Sequence, residues 1–209
     1  MRIYLFSSLG ALLLCAALSA FSACRSKNSV ETVETRDAEG RLERYERRRS
    51  DAAKEGLYQK YRPDNTLLEE SHFRHDTLHG ERKFFYANGK MESVEHYVQG
   101  RIEGKYQKYY DTGALQLEQT YVNGALNGES VAFYPNGVVR ERVTLKDNEE
   151  NGPFSEYYEN GKVKAEGTYV PGGDGPAENG ELKEYDESGT LVRIAECNHG
   201  VCITKWKKE

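Results

Sequence analysis

Residues 104–127 read GKYQKYYDTGALQLEQTYVNGALN, and the same pattern returns on both sides of that stretch. The glycines that open the copies, Gly56, Gly80, Gly104, Gly128 and Gly152, stand 24 residues apart, and Gly180 follows after 28. Counted from the opening glycine, position 5 holds Tyr61, Phe85, Tyr109, Phe133, Tyr157 and Tyr185. Position 11 holds Leu67, Met91, Leu115, Val139, Val163 and Leu191, and position 17 holds Phe73, Tyr97, Tyr121, Leu145, Tyr169 and Cys197. Self-similarity at a fixed period is the signature of a repeat architecture, and it outranks local propensity in deciding the fold.

Each unit divides into two strands. Positions 11 and 17 are six apart, so in extended chain they share a face. Before them stand Tyr-Ala-Asn-Gly, Tyr-Asp-Thr-Gly, Tyr-Pro-Asn-Gly and Tyr-Glu-Asn-Gly, ending at Gly89, Gly113, Gly137 and Gly161. Such a placement suits a short hairpin, a type I turn closed by a bulge glycine at positive φ. A second turn, around Gly100, Gly124, Gly172 and Gly200, leads into the next unit. The fold expected is all-β: an elongated antiparallel meander of about six 24-residue hairpin repeats and about a dozen strands, single-sheet and solenoid-like. Frequent glycines and strand-forming aromatics leave no helix expected beyond the leader.

Composition agrees with a thin architecture. Of 209 residues, 37% are hydrophobic and 30% charged, too little apolar content for a thick core but enough for units that cover only their neighbours. The net charge of -5 offers no basic face for nucleic acid. Charge is uneven along the chain: residues 25–110 carry 18 Lys and Arg against 16 Asp and Glu, whereas residues 111–209 carry 10 against 18.

Residues 1–23 read as a signal peptide: Arg2, then a largely apolar run from Ile3 to Ala20. Phe21-Ser22-Ala23-Cys24 resembles the lipobox of bacterial lipoproteins, with Phe21 where Leu is usual; Cys24 would then be acylated and become the first mature residue. The expectation is a cell-envelope protein anchored by lipid and, if the cell is Gram-negative, one sorted to the outer membrane, since Arg25 rather than Asp follows the cysteine. Residues 24–39 read as a lipidated tether, and 40–209 as the repeat domain, opened by a degenerate first unit. There Arg47-Arg48-Arg49 reads as a solvated polar cap or as an address for acidic headgroups.

The Tyr-x-x-Gly-x-Leu units with glycine at each boundary resemble the bacterial variant of MORN repeats over roughly residues 56–200. The resemblance implies stacked β-hairpins used for binding rather than catalysis. Many bacterial proteins of this kind are labelled antitoxins, which in an exported chain implies an immunity protein; MORN proteins elsewhere are implicated in membrane or lipid attachment.

Few residues carry chemistry. Cys197 and Cys202 flank the last second turn, where hairpin partners face each other, and an even pair in an exported chain points to a disulfide; a Cys197-His199-Cys202 metal site lacks a fourth ligand. His72, His75 and His79 fall in a strand, a turn and a unit boundary, so no metal site is expected, nor any other cofactor. Gly172-Gly173-Asp174-Gly175 reads as a lengthened hairpin loop, with a faint likeness to calcium-binding nonapeptides. No nucleophile elbow or phosphate loop is present, which leaves an envelope hydrolase or metal carrier as the weakest reading.

The candidate binding residues are Tyr86, Tyr110, Tyr134 and Tyr158 at position 6. Position 5 is aromatic in all six units and reads as core; position 6 points the other way and becomes Arg62 and Asp186 in the outer units. Two readings stand: a partly exposed ladder that binds an envelope protein or glycan, or rings packed over the turns with their hydroxyls in water. Tyr58, Tyr106, Phe154 and Leu182 at position 2 share the parity of position 6 unless a bulge breaks it.

Overall fold

The computed structural model describes residues 29–172 and 175–209. They form one antiparallel sheet in which pairing follows the order of the chain. In order the strands are β1 (Val30–Arg36), β2 (Leu42–Arg48), β3 (Lys54–Tyr61), β4 (Leu67–Arg74), β5 (Thr77–Phe85), β6 (Met91–Val98), β7 (Arg101–Ile102), β8 (Gly104–Tyr109) and β9 (Leu115–Val122). They continue as β10 (Ala125–Leu126), β11 (Gly128–Phe133), β12 (Val139–Lys146), β13 (Glu149–Tyr157), β14 (Val163–Pro171), β15 (Pro176–Glu178), β16 (Gly180–Tyr185), β17 (Leu191–Asn198) and β18 (Val201–Lys207). The 18 segments exceed the dozen expected, in part because β7, β10 and β15 are short pieces interrupted just before an opening glycine. The sheet stays open: among the described residues β1 pairs only with β2, and β18 only with β17.

Both turns recur. In the first, the amide of Gly89 donates to the carbonyl of Tyr86 and the amide of Tyr86 to that of Lys90, with the same pair of bonds at Tyr110, Tyr134 and Tyr158. Gly89, Gly113, Gly137 and Gly161 take φ of +80°, +91°, +84° and +82°, the left-handed conformation a bulge glycine supplies without steric cost. The second turn has two residues, both at positive φ: Gln99-Gly100, Asn123-Gly124, Asp147-Asn148 and His199-Gly200, the type I′ geometry that matches strand twist.

The core lies on the face opposite to the one expected. Phe85, Tyr109, Phe133, Tyr157 and Tyr185 are half-buried, not buried. Tyr61 and Tyr109 instead turn their hydroxyls to Gln59 and Gln107, two residues back on their own face. The buried residues cluster at positions 2, 15 and 17: Tyr58, Ser71, Val143, Leu145, Phe154, Leu182, Ala195 and Cys197. The register explains the difference. In all six units position 4 pairs with position 13, but position 5 pairs with position 11, so position 12 is an extra, bulged residue. Position 5 therefore meets its aliphatic partner across the hairpin without joining the buried face.

Complementary sizes fill that face. The opening glycine lies opposite the position-17 side chain, as in Gly56 with Phe73, Gly104 with Tyr121 and Gly152 with Tyr169. The large position-2 residue lies opposite a small one, Tyr58 with Ser71, Phe154 with Gly167 and Leu182 with Ala195. A ring lying over a cross-strand glycine covers backbone that would otherwise be exposed. Neighbouring rings then meet: Tyr58 with Phe73 at 5.6 Å, Tyr106 with Tyr121 at 6.3 Å, and Phe154 stacked on Tyr169 at 4.2 Å. Phe154 is left 4% exposed and Ala195 0%.

At the N-terminal end, Val30–Arg36 is a strand, although the sequence placed it in the tether. Its pairing with β2 is dressed by cross-strand ion pairs, Glu31 with Arg47 at 2.9 Å and Glu34 with Arg44 at 2.6 Å, which stand where apolar contacts stand elsewhere. Arg49 also reaches Glu31, and Arg48 reaches Asp51. The three arginines are thus matched within the chain, as a polar cap requires.

Candidate functional site

The tyrosines of position 6 come together as a ladder, half-buried, whose hydroxyls are all engaged. Tyr86 donates to the carbonyl of Tyr109 at 2.7 Å, Tyr110 to Phe133 at 2.7 Å, Tyr134 to Tyr157 at 2.8 Å and Tyr158 to Tyr185 at 2.8 Å. Every bond runs from one unit to the first turn of the next. Arg62, in the same position of the first unit, donates to the carbonyl of Phe85. The amides of Asn88, Asn136 and Asn160 and the ammonium groups of Lys90 and Lys162 repeat the motif on neighbouring turn carbonyls. The hydroxyls are therefore bonded rather than in water, and only the rings are presented outward.

Those rings stand on the same face as the aromatic core. Between the last two units that face opens into a cavity of about 360 Å³, lined by Phe154, Tyr158, Leu182, Tyr185, Tyr169 and Glu178 among others. Glu156, Lys164 and Glu184 also line it, Glu156 paired with Lys164 at 2.7 Å and Glu184 with Arg193 at 2.9 Å, which leaves Glu178 as the lining carboxylate without an ion pair. Glu178 lies directly opposite Tyr169 across the strand pair, and Glu150 opposite Leu145. Among the described residues no ion pair or side-chain hydrogen bond reaches Glu141, Glu150 or Glu178. Burial pushes the Tyr169 phenol up to about 12, with Glu150, Glu178, Glu156 and Glu141 adding to the shift. Burial also raises the Glu150 carboxyl, and Glu141 raises it further. The sequence reading missed this cavity; the signal was the position-2 aromatics sharing parity with position 6, together with the acidic excess of residues 111–209.

Cys197 and Cys202 are joined, directly opposite each other across β17 and β18. Their Cα atoms stand 4.0 Å apart, closer than the 4.4 to 6.8 Å usual for a disulfide. The pair sits next to the two-residue turn, in the non-hydrogen-bonded register where strands approach most closely. His72 lies in β4, His75 in a second turn and His79 in β5, as the spacing implied. Among the described residues no group of three His, Cys, Asp or Glu is arranged to hold a metal. The lipidation candidate Cys24 and the leader lie outside the described residues, as do Gly173 and Asp174 of the glycine-rich loop.

Among curated proteins no sequence matches this chain. A solved structure of a porin-like protein from Bacteroides uniformis ATCC 8492 is similar over 84% of this chain and 91% of its own, at 9% identity and a TM-score of 0.24, a likeness too low to carry an argument. The sequence pattern of the MORN repeat variant, by contrast, matches five times in the register described above, at residues 78–99, 102–123, 126–147, 150–170 and 178–196. Five matches in step with five hairpins cover half of the chain, and the protein is a repeat-built module that belongs to the MORN repeat variant family.

Proposed function

We propose that the protein is a non-catalytic, lipid-anchored module of the cell envelope, and that its tyrosine-lined sheet face binds an extended polypeptide. The observation that carries this reading is the uncovered aromatic face. Position 6 is tyrosine in four successive units and position 17 aromatic in four of six, with further rings at position 2 in three, all across one open sheet, and among the described residues no helix or second sheet lies over them. Tyrosine suits such a surface, since it presents a large ring at little entropic cost. With the hydroxyls already bonded within the array, recognition falls to ring faces and to the charged side chains between them. The anchor rests on the small residues before Cys24. Only residues 25–29 separate that cysteine from β1, so at full extension of roughly 3.6 Å per residue the start of β1 stays within about 22 Å of the lipid attachment.

Two measurements test the reading. Crosslinking and pull-down from native membranes identifies the partner, and the Tyr110→Ala, Tyr134→Ala double variant is expected to lose most of the capture while keeping its circular dichroism spectrum. Recovery of the same partners at the same yield would place the site elsewhere. Fractionation of Cys24→Ser is expected to move the protein out of the membrane pellet; an unchanged pellet would remove the anchor.

A further inference from the structure

The first repeat carries its own cation. Lys54, two residues before Gly56, places its ammonium over three rings of the core face, 5.1 Å from Tyr45, 4.8 Å from Tyr58 and 5.2 Å from Phe73. These are cation–π distances, and the rings are held in position by the glycine and serine across from them. The repeat builds the same pair of walls again at its acidic end. Phe154 and Tyr169 occupy positions 2 and 17 of the fifth unit, as Tyr58 and Phe73 do in the first, and they floor the 360 Å³ cavity. The position equivalent to Lys54, two residues before the opening glycine, is there Glu150 before Gly152 and Glu178 before Gly180. Where the first unit supplies an ammonium, the fifth and sixth supply carboxylates with no partner among the described residues.

We propose that this cavity receives the cationic side chain of a basic polypeptide segment, its charged head over the Tyr169 ring and beside Glu178, with the Glu150 carboxylate adding negative charge from outside the lining. The inference rests on the reading of this face as a polypeptide-binding surface and adds the chemistry of the partner. Three features converge on a cation. Ring faces attract positive charge and repel negative. Glu178 lines the cavity and Glu150 stands near it, both without a side-chain partner among the described residues, so an incoming cation would find unpaired carboxylates. Residues 111–209, which contain the cavity, carry the acidic excess of the chain, so a basic segment is also steered toward it. A negative or neutral occupant would leave the carboxylates without a partner.

Hexalysine, hexaglutamate and a glycine–serine hexapeptide serve as probes in calorimetric titrations at low and physiological salt, with the folded state of each variant checked by circular dichroism. Hexalysine alone is expected to bind, and Glu150→Lys is expected to weaken it at least tenfold, because the new lysine fills the cage from within as Lys54 does. Glu178→Gln and Tyr169→Leu should weaken it by a similar factor. Glu187→Lys makes the same charge change on an exposed turn and should leave the affinity within about twofold, the change expected from long-range charge alone. Equal weakening by Glu150→Lys and Glu187→Lys would show attraction to net charge only and would overturn the proposal, as would the absence of hexalysine binding. If a native partner is still captured through Tyr110 and Tyr134 while hexalysine is not held, the polypeptide-binding face stands and the cation site falls.

Discussion

Replacing Tyr110 and Tyr134 by Phe removes two hydroxyls and nothing else, and thereby tests whether the ladder joins the repeats. Each hydroxyl donates to a turn carbonyl of the following unit at 2.7 to 2.8 Å. A neutral hydrogen bond contributes about 0.5–1.5 kcal/mol net. The turn carbonyls are half-buried, so water can reach the acceptor left behind, and the lower part of that range applies, about 0.5–1 kcal/mol per bond. For a chain of this size about 1 kcal/mol lowers the melting temperature by about 2–4 °C, which puts the double variant about 2–8 °C below the parent. The position of the effect matters more than its size, because stability in a repeat array is a sum of unit and neighbour-interface contributions. Hydrogen exchange should therefore accelerate in the turns at 110–114, 134–138 and 158–162, each of which loses a donor or an acceptor of the clasp, and remain unchanged at 62–66. Tyr121→Phe is the control, since its hydroxyl makes no side-chain hydrogen bond among the described residues, and it should melt with the parent. If the double variant melts and exchanges like Tyr121→Phe, the units are held together by the backbone ladder alone and the hydroxyl clasps are incidental.

Reducing the Cys197–Cys202 bond, or Cys202→Ser, should cost about 2 kcal/mol, the loop-entropy value for so short a closed loop, and the loss should register as fraying of β18 in hydrogen exchange; an unchanged melt under reductant would contradict it. Gly167→Ala places a methyl 2.8 Å from the Phe154 ring, and the resulting overpacking should destabilise by about 1–3 kcal/mol and disturb the near-ultraviolet signal of the Phe154–Tyr169 pair. Glu150→Gln should raise the melting temperature at neutral pH. Burial and Glu141 raise the folded-state pKa of Glu150 above its unfolded value, so its ionised form opposes folding at pH above both values, and that penalty is relieved as the pH falls and the carboxyl is protonated. The gain from Gln should accordingly shrink as the pH is lowered; a gain that persists in acid would assign it to packing.

The repeat, both turns and the cysteine pair could be read from the chain because each depends on residues adjacent in sequence. Asn-Gly closes a turn wherever it falls, and Cys197 and Cys202 are opposed by the two-residue turn between them. The choice of face could not be read by counting alternation, because the bulge at position 12 shifts the register between positions 4 and 5 in every unit. The alternation breaks on the second strand, so Leu115, opposite Tyr109, says nothing about Tyr121, opposite the opening glycine. Pairing large with small across the hairpin, Phe154 with Gly167 and Leu182 with Ala195, would have found the buried side. The strand at Val30–Arg36 was hidden for another reason: its partners are charged, and Glu31 with Arg47 gives no apolar alternation to detect. The cavity needed three dimensions, since Phe154, Tyr169 and Leu182 belong to different strands and line it together only once the sheet is formed.

All four tyrosine clasps, and the arginine that precedes them, point the same way along the chain, from each unit to the one made after it. A ribosome delivering about 5–20 residues per second completes a 24-residue unit in roughly one to five seconds. During that interval the newest turn has donors but no acceptors, and it is secured only when its successor has emerged. Order is thus imposed with a lag of one unit, and the last tyrosine in the series, Tyr158, waits for the turn at Tyr185. In that turn Asp186 stands where a clasping tyrosine would, and its carboxylate accepts from the amides of Ser188 and Thr190 within the turn itself. Its strand pairs with β17, which is held to β18 by the covalent bond at Cys197 and Cys202, so a series of units that each wait for a successor gives way to a link that waits for none.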